Sequence, residues 1–164
     1  MNRRVISVQV ENKPGVLSRI TGLFSARGYN IDSLTVSHTW QEEISVMTIV
    51  VHGDEKVTEQ IKKQLHKLID VIRVSDHTDS KTIEREFMLI RIAAKPSERP
   101  EIAALGDVFK ASIAEISQKS MTLSVKAEPD KIDNLIELLR PYGIKELMRT
   151  GLVSMLREDE TGAS

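Results

Sequence analysis

The sequence predicts an α+β protein with two tandem units, each ordered strand, helix, strand, strand, helix, strand. Two observations lead to this fold class. Segments with alternating apolar residues or many β-branched residues are interleaved with segments whose apolar residues recur at helical spacing. The same six-element order also occurs twice within 164 residues, a length that suits one domain or two small ones. Each unit fits the ferredoxin-like βαββαβ fold, an antiparallel sheet with both helices on one face.

The first half has clear start and stop signals. The apolar stripe that begins at Val16 predicts a helix, and Gly28 is a typical helix stop because glycine readily adopts left-handed angles. Asp54 is the predicted N-cap of a second helix. In chain order the predicted elements are VISVQV, a helix from Val16 to Gly28, residues 31–37, ISVMTIVVH after the hairpin loop HTWQEE, a helix from Asp54, and VIRVS.

The second half repeats this order after the polar segment DHTDSKT. Its predicted elements are REFMLIRIAA, a helix with Ile102, Leu105, Gly106 and Phe109 on one face, SIAEIS, MTLSVKA, a helix with Ile132, Leu135, Ile136 and Leu139 on one face, and GIKELMRTGLVSML. The last helix must end near Pro141, because proline disfavours the helical conformation before it. We therefore predict an N-terminal domain at 1–76, a linker at 77–82, a C-terminal domain at 83–157 and a disordered tail at 158–164.

Composition and charge exclude several classes of protein. The net charge is −1 and the charged residues are balanced in both halves, so no basic surface for nucleic acid or anionic lipid is indicated. The chain has no cysteine, which excludes disulfides and thiolate chemistry. No signal-peptide segment is evident, and no stretch approaches the roughly 20 apolar residues of a membrane span. We expect a cytoplasmic protein with no membrane association.

No catalytic, metal or nucleic-acid motif is found in the sequence. The four histidines fall in separate segments, none at i, i+4 from another, and neither a phosphate-binding glycine loop nor a nucleophile elbow occurs. The same fold serves RNA-binding domains that stack bases on sheet aromatics. This chain has only one Trp, two Tyr and three Phe. We predict no catalytic residues, no metal site and no nucleic-acid partner.

The segment ENKPGVLSRITGLFSARGYN, residues 11–30, has features of a small-ligand site. A helix that starts after Gly15 offers free backbone N–H groups and a partial positive charge, which suit a carboxylate. Gly15 also lets a ligand approach the backbone closely. Asn12 and Asn30 can each hold an ammonium or a carboxylate group, but both also suit ordinary turns, which leaves a structural role open. Because they are predicted at opposite ends of the helix, two antiparallel copies would be needed to bring them together.

The motif VENKPGVLSRITGLFSARGYNIDSLTV closely resembles the first ACT domain of the regulatory (small) subunit of acetohydroxyacid synthase, also called acetolactate synthase. SVMTIVVHGDEKVTEQIKKQLHKLIDVIRV and EREFMLIRI also resemble this family. The resemblance covers essentially the whole chain and is strongest over 3–92. N-x-P-G-V-L alone is typical of ACT domains in general, whereas its junction with G-L-F-S-x-R-G-Y-N-I-x-S-L points to this one subunit.

The resemblance implies a non-catalytic partner of a large subunit that condenses two 2-oxo acids in branched-chain amino acid synthesis. Thiamine diphosphate, Mg and FAD are implied on that subunit, and no cofactor on this chain. The family also implies a homodimer through the N-terminal domains, activation of the large subunit and feedback inhibition with valine as the allosteric ligand. The implied effector-binding residues are Asn12, Gly15, Val16 and Leu17, with Asn30 and Ile31 from the neighbouring protomer. KPSERP replaces the N-x-P-G turn in the second half, so no equivalent site is predicted there.

Two other functions stay open on the sequence alone. One is a free-standing ACT-domain amino-acid sensor that regulates another enzyme or transcription. The other is an enzyme that acts without a large subunit. Recovery of a thiamine-diphosphate enzyme from cell extract, and an assay of the purified chain with pyruvate, would separate these possibilities.

Overall fold

The structure, a computed structural model, describes residues 2–158. Within that range the chain divides into two compact units: the first comprises 2–83 and 152–158, and the second comprises 84–151. Of the predicted tail at 158–164, all but Glu158 lies outside the described residues. No helix in the described part of the chain is long and apolar enough to cross a membrane.

The first unit contains the six predicted elements in the predicted order. They are β1 (Asn2–Glu11), α1 (Val16–Ala26), β2 (Ile31–His38), β3 (Ile44–Gly53), α2 (Glu55–Leu65) and β4 (Val71–Asp76). The strands form an antiparallel sheet in the order β2-β3-β1-β4. Ile20 of α1 and Ile61 of α2 enter one core with Ile6 and Ile49 of the sheet, so both helices cover the same face. The predicted βαββαβ topology is confirmed.

Local sequence explains where the helices of this unit begin and end. The Asp54 carboxylate accepts a hydrogen bond from the Val57 amide (2.9 Å), which caps α2 as predicted. By contrast, α1 begins after Gly15, whose φ of 86° is left-handed, and no side chain caps it. It ends before Gly28, whose φ of 69° is also left-handed. The chain therefore turns sharply at both ends of α1, where the predicted site residues lie.

The second unit repeats this architecture. Its elements are β5 (Thr82–Ala93), α3 (Arg99–Val108), β6 (Ser112–Ile116), β7 (Ser120–Ala127), α4 (Pro129–Leu139) and β8 (Ile144–Arg149). The strand order is β6-β7-β5-β8. Its core joins Ile90 on the sheet to Ile102 of α3 and Leu135 of α4. The helix α4 ends two residues before Pro141, as predicted, and a short 3-10 turn follows at Arg140–Tyr142.

The C-terminal segment differs from the prediction. GIKELMRTGLVSML was predicted as one strand, but Gly151 turns the chain with a φ of 90°, and a separate strand β9 (Val153–Leu156) follows. Leu152 is buried with Val5 and Val50 on the sheet face that the helices of the first unit leave open. The left-handed glycine permits the turn and the burial of Leu152 stabilises it. The chain after Gly151 therefore belongs to the first unit, whereas the predicted C-terminal domain extended to residue 157.

Candidate functional site

The six predicted site residues fall into two groups at opposite ends of the first sheet. One group forms the turn between β1 and α1 with the first residues of that helix, and the other begins β2; they are Asn12, Gly15, Val16 and Leu17, then Asn30 and Ile31. Glu11 lies opposite Ile44 on β3, whereas Ile31 lies opposite Val51. The span from residue 44 to residue 51 of an extended strand is about 24 Å. Within one chain the groups do not converge, in agreement with the sequence-based expectation.

Asn12 is fixed by the hairpin between β2 and β3. Its backbone amide donates to the carbonyl of Glu43 (2.8 Å), and its side-chain Nδ2 donates to the carbonyl of Glu42 (2.7 Å). Nδ2 rather than Oδ1 must face Glu42, because two carbonyl oxygens would repel each other. The Oδ1 atom of Asn12 has no donor within residues 2–158, so it is available to accept a hydrogen bond from an ammonium group.

The start of α1 offers hydrogen-bond donors. The amides of Leu17 and Ser18 donate to no acceptor in the described chain, and no acidic side chain lies in the first turn. Unpaired N–H groups at a helix start attract anions, and the helix dipole adds partial positive charge. The side chains of Val16 and Ile31 pack against the core, whereas Leu17 is 40% exposed. Of these two neighbouring residues, Leu17 therefore presents an exposed apolar side chain and Val16 does not.

Asn30 belongs to a hydrogen-bonded chain that the sequence analysis missed. Its Nδ2 donates to Asp32 Oδ1 (3.2 Å), and Asp32 Oδ2 pairs with Nδ1 of His52. This orientation leaves Oδ1 of Asn30 without a donor among the described residues, as in Asn12. An open cleft of about 610 Å³ lies beside Asn30, with Tyr29 and His52 in its wall. No local sequence pattern predicts this series of hydrogen bonds, since His52 is twenty residues from Asp32.

An ion pair beside the β1–α1 turn was also missed. Nε and Nη2 of Arg19 contact Oδ2 of Asp70 at 2.8 and 2.7 Å. Asp70 is only 8% exposed, whereas half of the Arg19 side chain is exposed. The remaining guanidinium nitrogen, Nη1, lies 3.1 Å from the position that a Cβ atom on Gly15 would occupy. The pair links α1 to the loop before β4 and places positive charge against the turn.

The corresponding turn of the second unit is built differently. In KPSERP, residues 95–100, the Glu98 carboxylate accepts a hydrogen bond from the Lys95 amide (2.9 Å). A carboxylate of the chain itself therefore lies at the start of α3, where a ligand carboxylate would have to bind. This contact supports the prediction that the second unit has no equivalent amino-acid site.

His38, His52 and His77 make side-chain hydrogen bonds within the described residues. His77 is buried and its Nδ1 contacts Ser154 Oγ (2.8 Å), while His52 pairs with Asp32. Within residues 2–158, no group of three or more His, Cys, Asp or Glu side chains is arranged to hold a metal ion.

Comparison with known families identifies the relatives of this chain. Residues 6–73 match the family described as the AHAS small subunit-like ACT domain, and residues 85–158 match the family described as the small subunit of acetolactate synthase. The chain belongs to the acetolactate synthase small-subunit family. The resemblance recognised in the sequence motif is thereby confirmed.

Several family members are similar over nearly their whole length. The probable acetolactate synthase small subunit of Archaeoglobus fulgidus is 52% identical over 94% of this chain and 97% of its own. The acetolactate synthase small subunit of Bacillus subtilis is 46% identical over 99% and 95%. The crystal structure of the small subunit from Thermotoga maritima has 33% identity and a TM-score of 0.86, covering 96% and 98%. The fold of this chain is therefore shared with the Thermotoga maritima small subunit.

Proposed function

We propose that this chain is a non-catalytic regulatory subunit that activates a separate thiamine-diphosphate acetohydroxyacid synthase subunit and makes it sensitive to inhibition by valine. Membership of the small-subunit family supports a separate acetohydroxyacid synthase catalytic subunit as the partner. The structure of the β1–α1 turn supports an amino acid as the ligand. Its free amides, the Oδ1 of Asn12 and the exposed Leu17 match the carboxylate, ammonium and apolar side chain of one amino acid.

A second copy of the chain completes the site in this proposal. β2 is an edge strand of the first sheet, so its outer N–H and C=O groups can pair with another strand. Antiparallel pairing of two such strands would bring Ile31 of one copy close to His38 of the other. His38 lies at the hairpin end of the sheet, where Asn12 is fixed. Asn30 of one copy and Asn12 of the other would then lie within reach of one ligand.

In this proposal, Asn12 and Asn30 both accept hydrogen bonds from the ammonium group of the ligand. Both use Nδ2 for an internal hydrogen bond, so both present Oδ1 to the ligand. Carbonyl oxygens accept hydrogen bonds from an ammonium group, which is a donor only. The carboxylate then faces the helix start, where the amides of Leu17 and Ser18 are unpaired within the described residues. The β1–α1 turn of one protomer thus supplies the carboxylate donors and one acceptor for the ammonium group, and Asn30 of the other protomer supplies the second acceptor, so the complete site needs two protomers.

Ligand size limits the expected affinity. Valine has about eight heavy atoms, and the best small ligands reach ~1.5 kcal/mol per atom, which sets a ceiling near ~12 kcal/mol that is rarely approached. Affinity in the micromolar to millimolar range is expected, and it suits a sensor of a metabolite pool. Leucine and isoleucine differ from valine by one methylene, which is worth roughly 1–3 kcal/mol. We therefore expect partial responses to both.

Inhibition requires that valine favour one state of the assembly. A ligand shifts an equilibrium only by the difference in its affinity for the two states. A ligand held between two protomers meets this condition, because its affinity depends on how the first unit of one protomer is arranged against the first unit of the other. We infer that the arrangement of protomers that valine stabilises holds the large subunit in a less active form.

Reconstitution with the large subunit tests the proposal. We expect the purified chain to raise pyruvate turnover by that subunit, and valine to lower it only when the chain is present. The chain alone, given pyruvate and thiamine diphosphate, should show no turnover. Calorimetry of the isolated chain with valine, leucine and isoleucine measures binding separately. Turnover by the chain alone would overturn the proposal, and so would large-subunit activity that does not change when the chain is added.

A further inference from the structure

We propose that Arg19 binds the carboxylate of the amino-acid effector and that Asp70 holds Arg19 in position for this contact. The inference rests on the proposed function, because it concerns the ligand of the same site. It adds a charged side chain to a carboxylate-binding region that otherwise consists of backbone amides alone.

The geometry of the ion pair leaves one guanidinium edge free. Asp70 Oδ2 accepts from Nε and Nη2 of Arg19, so the Nη1 edge points away from this carboxylate. Nη1 lies 3.1 Å from the site of a Cβ atom on Gly15, and Cζ lies 3.9 Å from it. The free edge therefore faces the glycine at which the predicted ligand approaches the backbone. A guanidinium group can donate to two carboxylates at once because it has five N–H groups in a fixed plane.

Asp70 restricts the position of Arg19. The carboxylate is nearly buried, and the backbone carbonyl of the same residue accepts from the Glu11 amide (2.9 Å), which ties the loop to the end of β1. An exposed arginine without such an anchor would lose rotamer freedom on binding a ligand, which costs affinity. Asp70 is a positioning residue in this scheme, since it touches Arg19 and not the effector.

The charges around the turn favour Arg19 over the neighbouring lysine. The Lys13 ammonium contacts Glu11 Oε2 at 2.6 Å, and this hydrogen bond raises the pKa of Lys13. Lys13 is therefore already paired with a carboxylate of its own turn. Glu42 and Glu43 lie on the hairpin that holds Asn12, so the surroundings are otherwise acidic. A ligand carboxylate in this field needs a cationic partner, and Nη1 of Arg19 is the cationic group directed at Gly15.

A purely structural ion pair would give a different result from a ligand contact. If Arg19 only stabilised the turn, its loss would weaken every ligand of the site to the same extent. If Nη1 binds the carboxylate, its loss would weaken valine and leave valinamide unaffected. Valinamide keeps the ammonium group and the side chain of valine but carries no negative charge.

Calorimetry with both ligands, at a pH where both amino groups are protonated, tests the inference on the full chain. We expect Arg19→Gln to weaken valine binding about tenfold and valinamide binding less than about twofold. Arg19→Lys should retain part of the affinity for valine because the charge remains. Asp70→Asn should weaken valine severalfold, again with little effect on valinamide. Arg140→Gln removes another exposed, carboxylate-paired arginine, in the second unit, and should change neither affinity.

The two levels of the proposal fail in different ways. Equal weakening of valine and valinamide by Arg19→Gln, or no weakening of either, would overturn the role of Arg19 while valine binding by the unaltered chain stands. Absence of valine binding by the unaltered chain would instead overturn the proposed function, and the role of Arg19 with it. A thermal melt of each variant confirms that it is folded at the temperature of the titration.

Discussion

The backbone amide of Leu152 donates to the Oγ of Ser33 at 3.1 Å, although 119 residues separate them in the chain. The Leu152 carbonyl in turn accepts from Thr35 Oγ1 at 2.6 Å. The Leu152 side chain is 1% exposed and packs with Val5 and Val50. The C-terminal segment thus packs on the sheet of the first unit, on the face opposite its helices. It contacts β2, the strand at whose start Asn30 and Ile31 lie.

Leu152→Ala tests how much this contact stabilises the first unit. Truncation of a buried leucine removes its packing and leaves a cavity, so we expect the free energy of unfolding to fall by about 2–3 kcal/mol in urea denaturation. Met155→Ala, in the same segment, removes a side chain that is 66% exposed and should cost less than about 0.5 kcal/mol. Similar losses for both variants would show that Leu152 is not a packing anchor.

Gly15→Asp tests the β1–α1 turn. The added Cβ would lie 3.1 Å from Nη1 of Arg19, so the new carboxylate would pair with the group proposed to bind the effector. The left-handed φ of 86° adds strain for any side chain. We expect at least a tenfold loss of valine affinity by calorimetry, and loss of valine inhibition in the reconstituted enzyme.

Gly15→Asn is the matched control for charge at this position. Asparagine has nearly the shape of aspartate and tolerates left-handed angles, but it carries no negative charge. We expect it to weaken valine less than Gly15→Asp does. An unchanged valine response in Gly15→Asp would show that the site is elsewhere, and equal effects of the two variants would exclude the contribution of charge.

Subunit mixing tests whether one site uses residues of two protomers. Asn12→Ala and Asn30→Ala should each abolish valine binding in homodimers, because each removes one acceptor for the ammonium group. A heterodimer of the two variants, purified with two different tags, contains one intact Asn12–Asn30 pair and one doubly altered pair. We expect calorimetry to give about half of the normal number of valine sites. A heterodimer that binds no valine would contradict a shared site.

The pH dependence of stability has a specific contributor at the end of β4. Burial alone would raise the pKa of Asp76, but hydrogen bonds from Thr78 (3.0 Å from its amide) and the Lys62 ammonium at 3.6 Å outweigh burial and lower it from 3.8. A carboxyl group with a lowered pKa in the folded state stabilises fully above its unfolded pKa. That contribution is lost as the pH falls through the folded pKa.

Asp76→Asn should therefore lower the free energy of unfolding by about 1 kcal/mol at pH 7. The difference from the unaltered chain should shrink as the pH falls below 3.8, as measured by urea denaturation at several pH values. Asp79→Asn, in which the replaced side chain is 91% exposed, is the control and should have little effect at any pH. A difference that persists in acid would show that the charge of Asp76 does not stabilise the fold.

Much of the fold could be predicted because its signals are local. The helical stripe from Val16, the N-cap at Asp54 and the stop at Gly28 each depend on residues within a few positions, and the structure confirms all three. The resemblance motif likewise lies in one contiguous segment, which is how Asn12, Gly15 and Asn30 were selected as candidates. The position of Asn12 and Asn30 at opposite ends of the first sheet also followed, because strand and helix order fix which turns share an end of the sheet.

The sequence by itself determined the order of the strands and helices up to β8, their tandem repetition and the family to which the chain belongs. Only the tertiary structure decided that Leu152 returns to the first unit, that Asp70 holds Arg19 beside Gly15, and that Asp32 orients Asn30. Some of these contacts join residues far apart in the chain, as Leu152 and Ser33 are separated by 119 residues. Others, such as that of Asn30 with Asp32, depend on which of several nearby polar groups forms the hydrogen bond. Hydrophobic periodicity specifies which face of an element is buried, but it does not specify which distant polar groups meet once that face is packed.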